Sequence, residues 1–466
     1  MISCRVKSLK RVSLKRVSLR RAGALALGVL VGGAFATGNV APATAQTGLS
    51  PHFPAFAGTI PTLSPFRLFE PLTNFAVDGE VAEIAAVTPD GNTVLYTDSE
   101  LEEVGFVDIR NPTSPRQLGS FATNGQPTSV AITPDGRHAL ICVRDPNKLI
   151  VLDLQTRTSV RVLDLGGQPD SITISPNGIY AAIAIENERP DERVLLPVSP
   201  AGFVTIVDIG RRIGQPVNGT VAGFPLPVAQ WKLRDISMTN VPNRFPTDPE
   251  PEYVAINRFD QLAVTLQENN FIVIIDLASG TIRSAFSAGT TTHLADLKND
   301  RRISFTDTLL NARLEPDAIA WTLQGQLVTA NEGDYNLDLP RGSFSGGRNF
   351  TVFSSNGPLL FDCGASLELA AVAQNLYPDN RSNNKGVEPE GAAVAFYGFK
   401  QYGFIGAERG NFVGVYDFNN PRAPRLLQLL PTGTGSRPEG LLPIPQRDLF
   451  ISANEGNGTL SIFRLR

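Results

Sequence analysis

Carboxylates at two recurring positions are the residues of this sequence best suited to chemistry. One series stands at the start of a short apolar run, usually just after proline: Glu83, Asp170, Glu252, Asp317, Glu390 and Glu439, with Thr128 breaking the series. A second stands where the following apolar run ends: Glu100, Glu188, Glu268, Glu332, Glu408 and Glu455, several beside a carboxamide (Asn187, Asn269, Asn331, Asn454). Carboxylate and amide oxygens are hard donors that suit Ca²⁺ or Mg²⁺ rather than zinc. The expected cation ligands are Asp317, Asn331, Glu332, Glu390, Glu439 and Asn454, with Ca²⁺ as the cofactor. The wider ligand-binding set is Glu83, Asp170, Glu252, Asp317, Glu332, Glu390, Glu408, Arg409, Glu439 and Glu455. So many acids in one place would repel one another and hold protons more tightly unless a cation intervened. Arg409, Arg437 and Lys385 offer internal neutralisation. The alternative is structural: polar groups lining a wet channel are simply solvated, or cap the amides of neighbouring sheets.

Other chemistry is thinly represented. The three histidines, His52, His138 and His293, are scattered, and no nucleophile–histidine–acid set or histidine metal cluster can be assembled from them. Gly433-Thr434-Gly435 precedes a strand rather than opening a helix, so it is no dinucleotide fingerprint. Trp231 and Trp321 read as core residues. No catalytic residue is assigned.

The elements that must position the acids repeat. Successive units begin at Ala82, Pro127, Pro169, Pro251, Pro316, Pro389 and Pro438. Each has an apolar strand, a tight turn such as Asp90-Gly91, Asp135-Gly136 or Asn177-Gly178, a second apolar strand, a polar loop, and a third strand that often ends on Asp. In an antiparallel meander the start of the first strand and the end of the second lie at one end of the sheet, so each unit carries its acids on one rim. Nearly continuous apolar strands suit sheets packed on both faces. Together these features predict an all-β fold, a seven-bladed β-propeller with an acidic mouth, spanning 66–466. A β-sandwich would not explain a hairpin repeated with the same punctuation. The last unit stops at Arg466 without an outer strand, and the orphan pattern Phe66 to Val77 is expected to supply it, closing the ring with the N-terminal strand. Gly210 to Asp248, Ser279 to Leu314 and Gly333 to Arg348 exceed the repeat, and the first contains a strand-like run from Thr220 to Leu233.

The N-terminus reads as an export signal over residues 1–45, followed by an extended lead-in over 46–65. Eight basic residues from Arg5 to Arg21 precede an apolar run, Ala22 to Ala36, too short to span a bilayer, and Ala43-Thr44-Ala45 fits a cleavage site. Its removal takes the formal charge from −4 to about −12. That sign excludes nucleic acid and anionic lipid as natural partners and favours divalent cations. Cys142 and Cys363 would remain, in units far apart, so no disulfide framework is expected. With 42 Gly and 35 Pro, turns abound, and no second hydrophobic span appears.

At QENNFIVIIDLASG, ANEGDY, FSGGRNFTVF, RSNNKGVEPEG and GAERGNFVGVYDFNNP the chain resembles the choice-of-anchor I family, from about Glu80 to Leu465. The resemblance implies an exported bacterial propeller of the WD40/YVTN-like kind. Some members are labelled alkaline-phosphatase-like or related to a mesenchyme-specific surface glycoprotein, labels that identify no catalytic residue here. Members often carry a C-terminal surface anchor; this chain ends flush with its last strand, so a soluble, monomeric protein, secreted or periplasmic, is expected. EPEG also resembles the style of phytase-like esterase propellers. The leading expectation is a binding module for an extracellular ligand or protein; the alternative is a metal-dependent phosphoesterase or lactonase, the cation polarising substrate or activating water.

Overall fold

The computed structural model describes residues 66–188, 199–217, 220–333 and 344–466. The expected signal segment, the lead-in and positions 334–343 lie outside them. Among the described residues there are seven four-stranded antiparallel sheets, arranged as the blades of a propeller. Blades 1 to 6 follow the units in order. Blade 7 combines Pro438–Ile444, Leu449–Asn454 and Thr459–Leu465 with the N-terminal strand Phe69–Ala76, which pairs antiparallel with Thr459–Leu465. The expected closure is therefore present.

The blade plan follows from burial. Second strands are sealed on both faces; Tyr180–Ile185 and Leu449–Asn454 are buried at every position. Outer strands alternate, as Thr281–Ser287 does, because one face meets water. The turns between first and second strands repeat one device. In blade 1 the Thr88 hydroxyl donates to Asp90 Oδ1 at 2.6 Å while Gly91 takes φ +73°; in blade 2 Thr133 donates to Asp135 at 2.6 Å and Gly136 takes φ +70°. A left-handed residue is cheap only without a Cβ, so the glycine makes the turn.

Closure rests on an aromatic cluster. Phe69, 3% exposed, has ring centroids 5.1, 5.7, 5.5 and 6.1 Å from Tyr397, Tyr402, Phe404 and Phe450, and Phe404 stacks on Phe450 at 4.2 Å. Arg67 adds an exposed ion pair to Asp448 at 2.7 Å.

Two segments differ from the sequence reading. The strand-like run from Thr220 to Leu233 is divided: Gly210–Val217 and Thr220–Pro225 form an inserted hairpin, a 3₁₀ turn covers Val228–Gln230, and Lys232–Ser237 is the outer strand of blade 3. Ser279 to Leu314 likewise holds the outer strand of blade 4, Thr281–Ser287, and a separate hairpin of Thr290–Ala295 with Asp307–Arg313. This second hairpin and the helix α1 (Ser366–Ala373) both lie in connections leading into first strands, so those insertions belong to the face that bears the acids. No helix of the described residues is long and apolar enough to cross a membrane.

Candidate functional site

The first-strand acids converge on the propeller axis in two connected spaces. The inner chamber, of about 80 Å³, is lined by Thr128, Asp170, Glu252, Tyr253, Asp317, Glu390 and Glu439 among others. Above it opens a vestibule of about 330 Å³, sharing Asp170, Glu390 and Glu439 and adding Glu83, Glu332, Glu408, Glu455, Arg144, Arg409 and Arg437. All six first-strand acids thus meet, because each stands at the entry of an inner strand, one residue beyond its start for Asp170, Glu252, Glu390 and Glu439 and two residues before it for Glu83 and Asp317, and the inner strands surround the axis.

The two tiers differ in charge compensation. In the vestibule Glu332, Glu408 and Glu455 are paired with basic groups. Lys385 Nζ donates to Glu332 at 2.7 Å, Arg409 Nε to Glu408 at 2.7 Å, and Arg437 lies 3.5 Å from Glu455 and 3.8 Å from Glu408. Glu388, buried and at φ +55°, receives Arg381 and Arg409. The inner chamber contrasts with this. Among the described residues no Lys or Arg forms an ion pair with Asp170, Glu252, Asp317, Glu390 or Glu439. Oε2 of Glu252 and Oε2 of Glu390 are sealed from solvent without a hydrogen-bond partner.

Two carboxylate triads have oxygens that all lie within 4.8 Å of one another: Asp317–Glu332–Glu390 and Glu332–Glu388–Glu408. The second is surrounded by Arg381, Lys385 and Arg409, so its charge is already balanced and a cation would gain little there. In the first, Lys385 pairs with Glu332, while neither Asp317 nor Glu390 forms an ion pair with a described Lys or Arg. Its all-oxygen donor set fits a hard divalent cation, and the chamber has room for an ion with one or two waters, each taking roughly 30 Å³. Glu439 lies in the same chamber but outside this triad.

Burial, reinforced by neighbouring carboxylates, raises the proton affinity of the six first-strand acids, of Glu186 and of Glu408. Glu83, Asp170 and Glu408 are pushed up to about 7, Glu408 despite the opposing Arg409 guanidinium. Glu186, Glu252, Asp317, Glu390 and Glu439 rise well above the usual carboxylate range for the same two reasons. Unfolded carboxyls titrate near pH 4, so between about pH 4 and 7 the native state holds protons that the unfolded chain has lost, and stability falls as pH rises through that window. In EDTA the melting temperature is therefore expected to be higher at pH 5 than at pH 8, and calorimetric scans across that range check it. A melting temperature that climbed steadily with pH would contradict the crowding.

Several second-strand acids are placed differently from the sequence expectation. In five blades the proline at the entry of the inner strand pairs with the residue before the mouth position: Pro389 with Ala407, Pro438 with Asn454, Pro251 with Leu266, Pro169 with Ile185 and Pro127 with Val143. The residues equivalent to Glu408 and Glu455 are therefore Gln267, Glu186 and Arg144, not Glu268 or Glu188. In blade 1 Ser99 occupies the mouth and donates to Glu83, while Glu100 is exposed. Arg144, absent from the expected set, pairs with Glu188 at 3.7 Å.

Asn331 and Asn454 need correction as cation ligands. Both are fully buried at the last position of a second strand, one residue short of the mouth, where side chains point into the blade. Asn331 donates to Asn349 Oδ1 at 2.8 Å and accepts from Thr329; Asn454 donates to Thr459 and Ser461 and accepts from Ser452. Asn187 and Asn269 cap loops, accepting from the backbone N–H groups of Gln168 and Glu250. These amides serve the fold.

No curated protein matches the sequence. Among solved structures, Kuenenia stuttgartiensis hydrazine synthase superposes with a TM-score of 0.54 at 18% identity, covering 87% of this chain and 99% of that one. The Myceliophteria thermophila Cps50 (Swd1) β-propeller domain gives 0.53 at 11% identity, covering 86% and 100%. At such identities both show the fold alone. The profile of the choice-of-anchor I domain matches residues 83–343 and 339–421, which take in the inner strands of blades 1 to 6 and most of the acids of the mouth. The chain belongs to the choice-of-anchor I family.

Proposed function

We propose that this protein is an exported propeller that binds an extracellular ligand or protein at its acidic vestibule, through a divalent cation, Ca²⁺, held in the inner chamber. The observation that carries the reading is the Asp317–Glu332–Glu390 triad, whose carboxylate oxygens all lie within 4.8 Å of one another, with Glu390 Oε2 buried and unpartnered and neither Asp317 nor Glu390 in an ion pair with a described Lys or Arg. Burying several carboxylates without counter-charge is costly, and a cation offsets that cost while satisfying the orphaned oxygen. Asp317, Glu332 and Glu390 would hold the ion, with Asp170, Glu252 and Glu439 lending charge around it. The cleaved signal over 1–45 and a monomeric state belong to the same reading.

Calorimetric titration with Ca²⁺ at pH 7.5 is expected to show one site, with proton release as raised carboxyls ionise on binding. Glu390→Gln should weaken binding at least tenfold. Binding unchanged by that substitution would sink the proposal.

A second reading is favoured by Arg144, Arg409 and Arg437, which line the same vestibule as the acids. A cation polarising one phosphoryl or acyl oxygen, with guanidinium groups holding the others, describes a metal-dependent phosphoesterase or lactonase. The chemistry needs a proton carrier near neutrality, a role that a carboxyl raised to about 7, such as Glu408, fits. Turnover of a phosphomonoester or a lactone, lost in both Glu390→Gln and Arg409→Gln, would establish the enzyme over the binding module.

A further inference from the structure

The largest departure from the repeat on the face opposite the acidic mouth is the hairpin of Gly210–Val217 and Thr220–Pro225, inserted between the third and outer strands of blade 3. It adds nothing to the blade's own sheet, yet it is seated without slack. A Cβ on Gly223 would stand 2.0 Å from the Asn177 carbonyl oxygen, and one on Gly210 would stand 2.3 Å from that of Gly178. The segment after it is also fixed: Leu226 N–H donates to Ile209 O at 2.9 Å, Trp231 Nε1 donates to Leu226 O at 3.1 Å, and Arg161 of blade 2 donates to the carbonyls of Val228 and Trp231. Between this segment and the turns of blades 2 and 3 lies a preformed cleft of about 670 Å³.

Its composition is that of a small-molecule site, an apolar body with a few polar groups. Ile209, Phe224, Pro225, Leu226, Pro227 and Trp231 form the apolar wall, and Phe224 is 48% exposed beneath the Arg211 guanidinium. The polar groups divide into engaged and free. Asn177 donates to Asp260 and accepts from Ile179 N–H, and Asp135 Oδ1 accepts from Thr133 and from the Arg137 N–H. The Arg137 guanidinium is 73% exposed, with only a 3.7 Å approach to Asp135. The His138 imidazole stands edge-on to Trp231 at 5.9 Å with no hydrogen bond among the described residues. A second cleft sharing Leu226 and Trp231 adds Arg211, Arg212, Lys232 and Arg234, with Asp208 as its acid, already paired to Arg234 at 2.9 Å. In a chain of net negative charge, the free groups beside this apolar wall are basic.

We propose that the cleft binds a small anionic amphiphile, its apolar body against Trp231 and Phe224 and its carboxylate or phosphate head on Arg137 and His138. This site is independent of the acidic mouth.

The two tryptophans of the chain make the test direct. In a Trp321→Phe background Trp231 is the sole indole and lines the cleft. Titration with decanoate below its micellar concentration is expected to change Trp231 emission saturably. Decanol, lacking the charge, should bind at least tenfold more weakly, and acetate, lacking the body, should give no response. Decyl phosphate is the second arm; whichever anion binds tighter names the head group. Arg137→Glu, a change at an exposed side chain, should reduce decanoate affinity at least tenfold with melting unchanged. Absence of a saturable response, decanol binding as tightly as decanoate, or an Arg137→Glu variant with unaltered affinity would each overturn the proposal.

Discussion

Millimolar Ca²⁺ is expected to raise the melting temperature of the protein, EDTA to lower it, and Glu390→Gln with Glu439→Gln to abolish most of the difference. The physical origin is linkage. A cation that binds only the native state stabilises it by about 2.7 kcal/mol at a hundredfold excess over Kd. In its absence, Asp317 and Glu390 have no ion-pair partner among the described residues and Glu390 Oε2 has no hydrogen-bond partner. Replacing two of them by amides removes repulsion, so the metal-free double variant should melt no lower than the metal-free parent, and higher at pH 8, where the parent's carboxyls ionise. The pair Glu102→Gln with Glu103→Gln, remote from the channel, serves as control and should leave the Ca²⁺ response intact. Indifference of the parent to both Ca²⁺ and EDTA, joined to a double variant that is simply less stable, would make the acid ring structural.

The second large effect concerns ring closure. Removing residues through Val77 should abolish the native fold, because blade 7 would lose its outer strand and expose the edge of Thr459–Leu465. Removing only Gln46 to Ser64 should be mild. A point substitution isolates the packing contribution: Phe69→Ala empties a site among Tyr397, Tyr402, Phe404 and Phe450, and a buried Phe→Ala change costs about 3–5 kcal/mol. Denaturant unfolding measures it. A loss below about 1 kcal/mol would mean that the N-terminal strand contributes little to closure, against its burial.

The blades were legible in the sequence because their punctuation recurs. Asp135-Gly136 and Asn177-Gly178 mark the same turn, and the orphan pattern near Phe69 matched the strand missing at the end of the chain. First-strand acids were legible for a related reason, since a preceding proline anchors their position; Glu390 follows Pro389 and Glu439 follows Pro438. Second-strand ends were not, because these strands are buried on both faces and offer no alternation to set the register. Hence the sequence pattern offers Glu188 and Glu268 where Glu186 and Gln267 stand, and offers Asn331 and Asn454 as ligands although they lie one residue short of the mouth. Pairing each inner-strand proline with its partner would have corrected both errors. Arg144 was missed because a basic residue occupies a position that is elsewhere acidic. The cleft beside Trp231 could not be foreseen, since nothing local in Thr220 to Leu233 says that half the run leaves the blade. The buried Arg348 and Glu368, both 0% exposed, lie outside the repeat altogether.

The most direct test of the cation site is crystallographic: anomalous scattering from crystals of the parent protein grown with Ca²⁺ and, separately, with Tb³⁺ in its place. The expected result is one strong peak in the inner chamber, with carboxylate oxygens of Asp317, Glu332 and Glu390 at about 2.3–2.6 Å for Ca²⁺, and its disappearance in Glu390→Gln. Peaks confined to the outer surface, or a chamber occupied by water alone at millimolar Ca²⁺ and pH 7.5, would contradict the account.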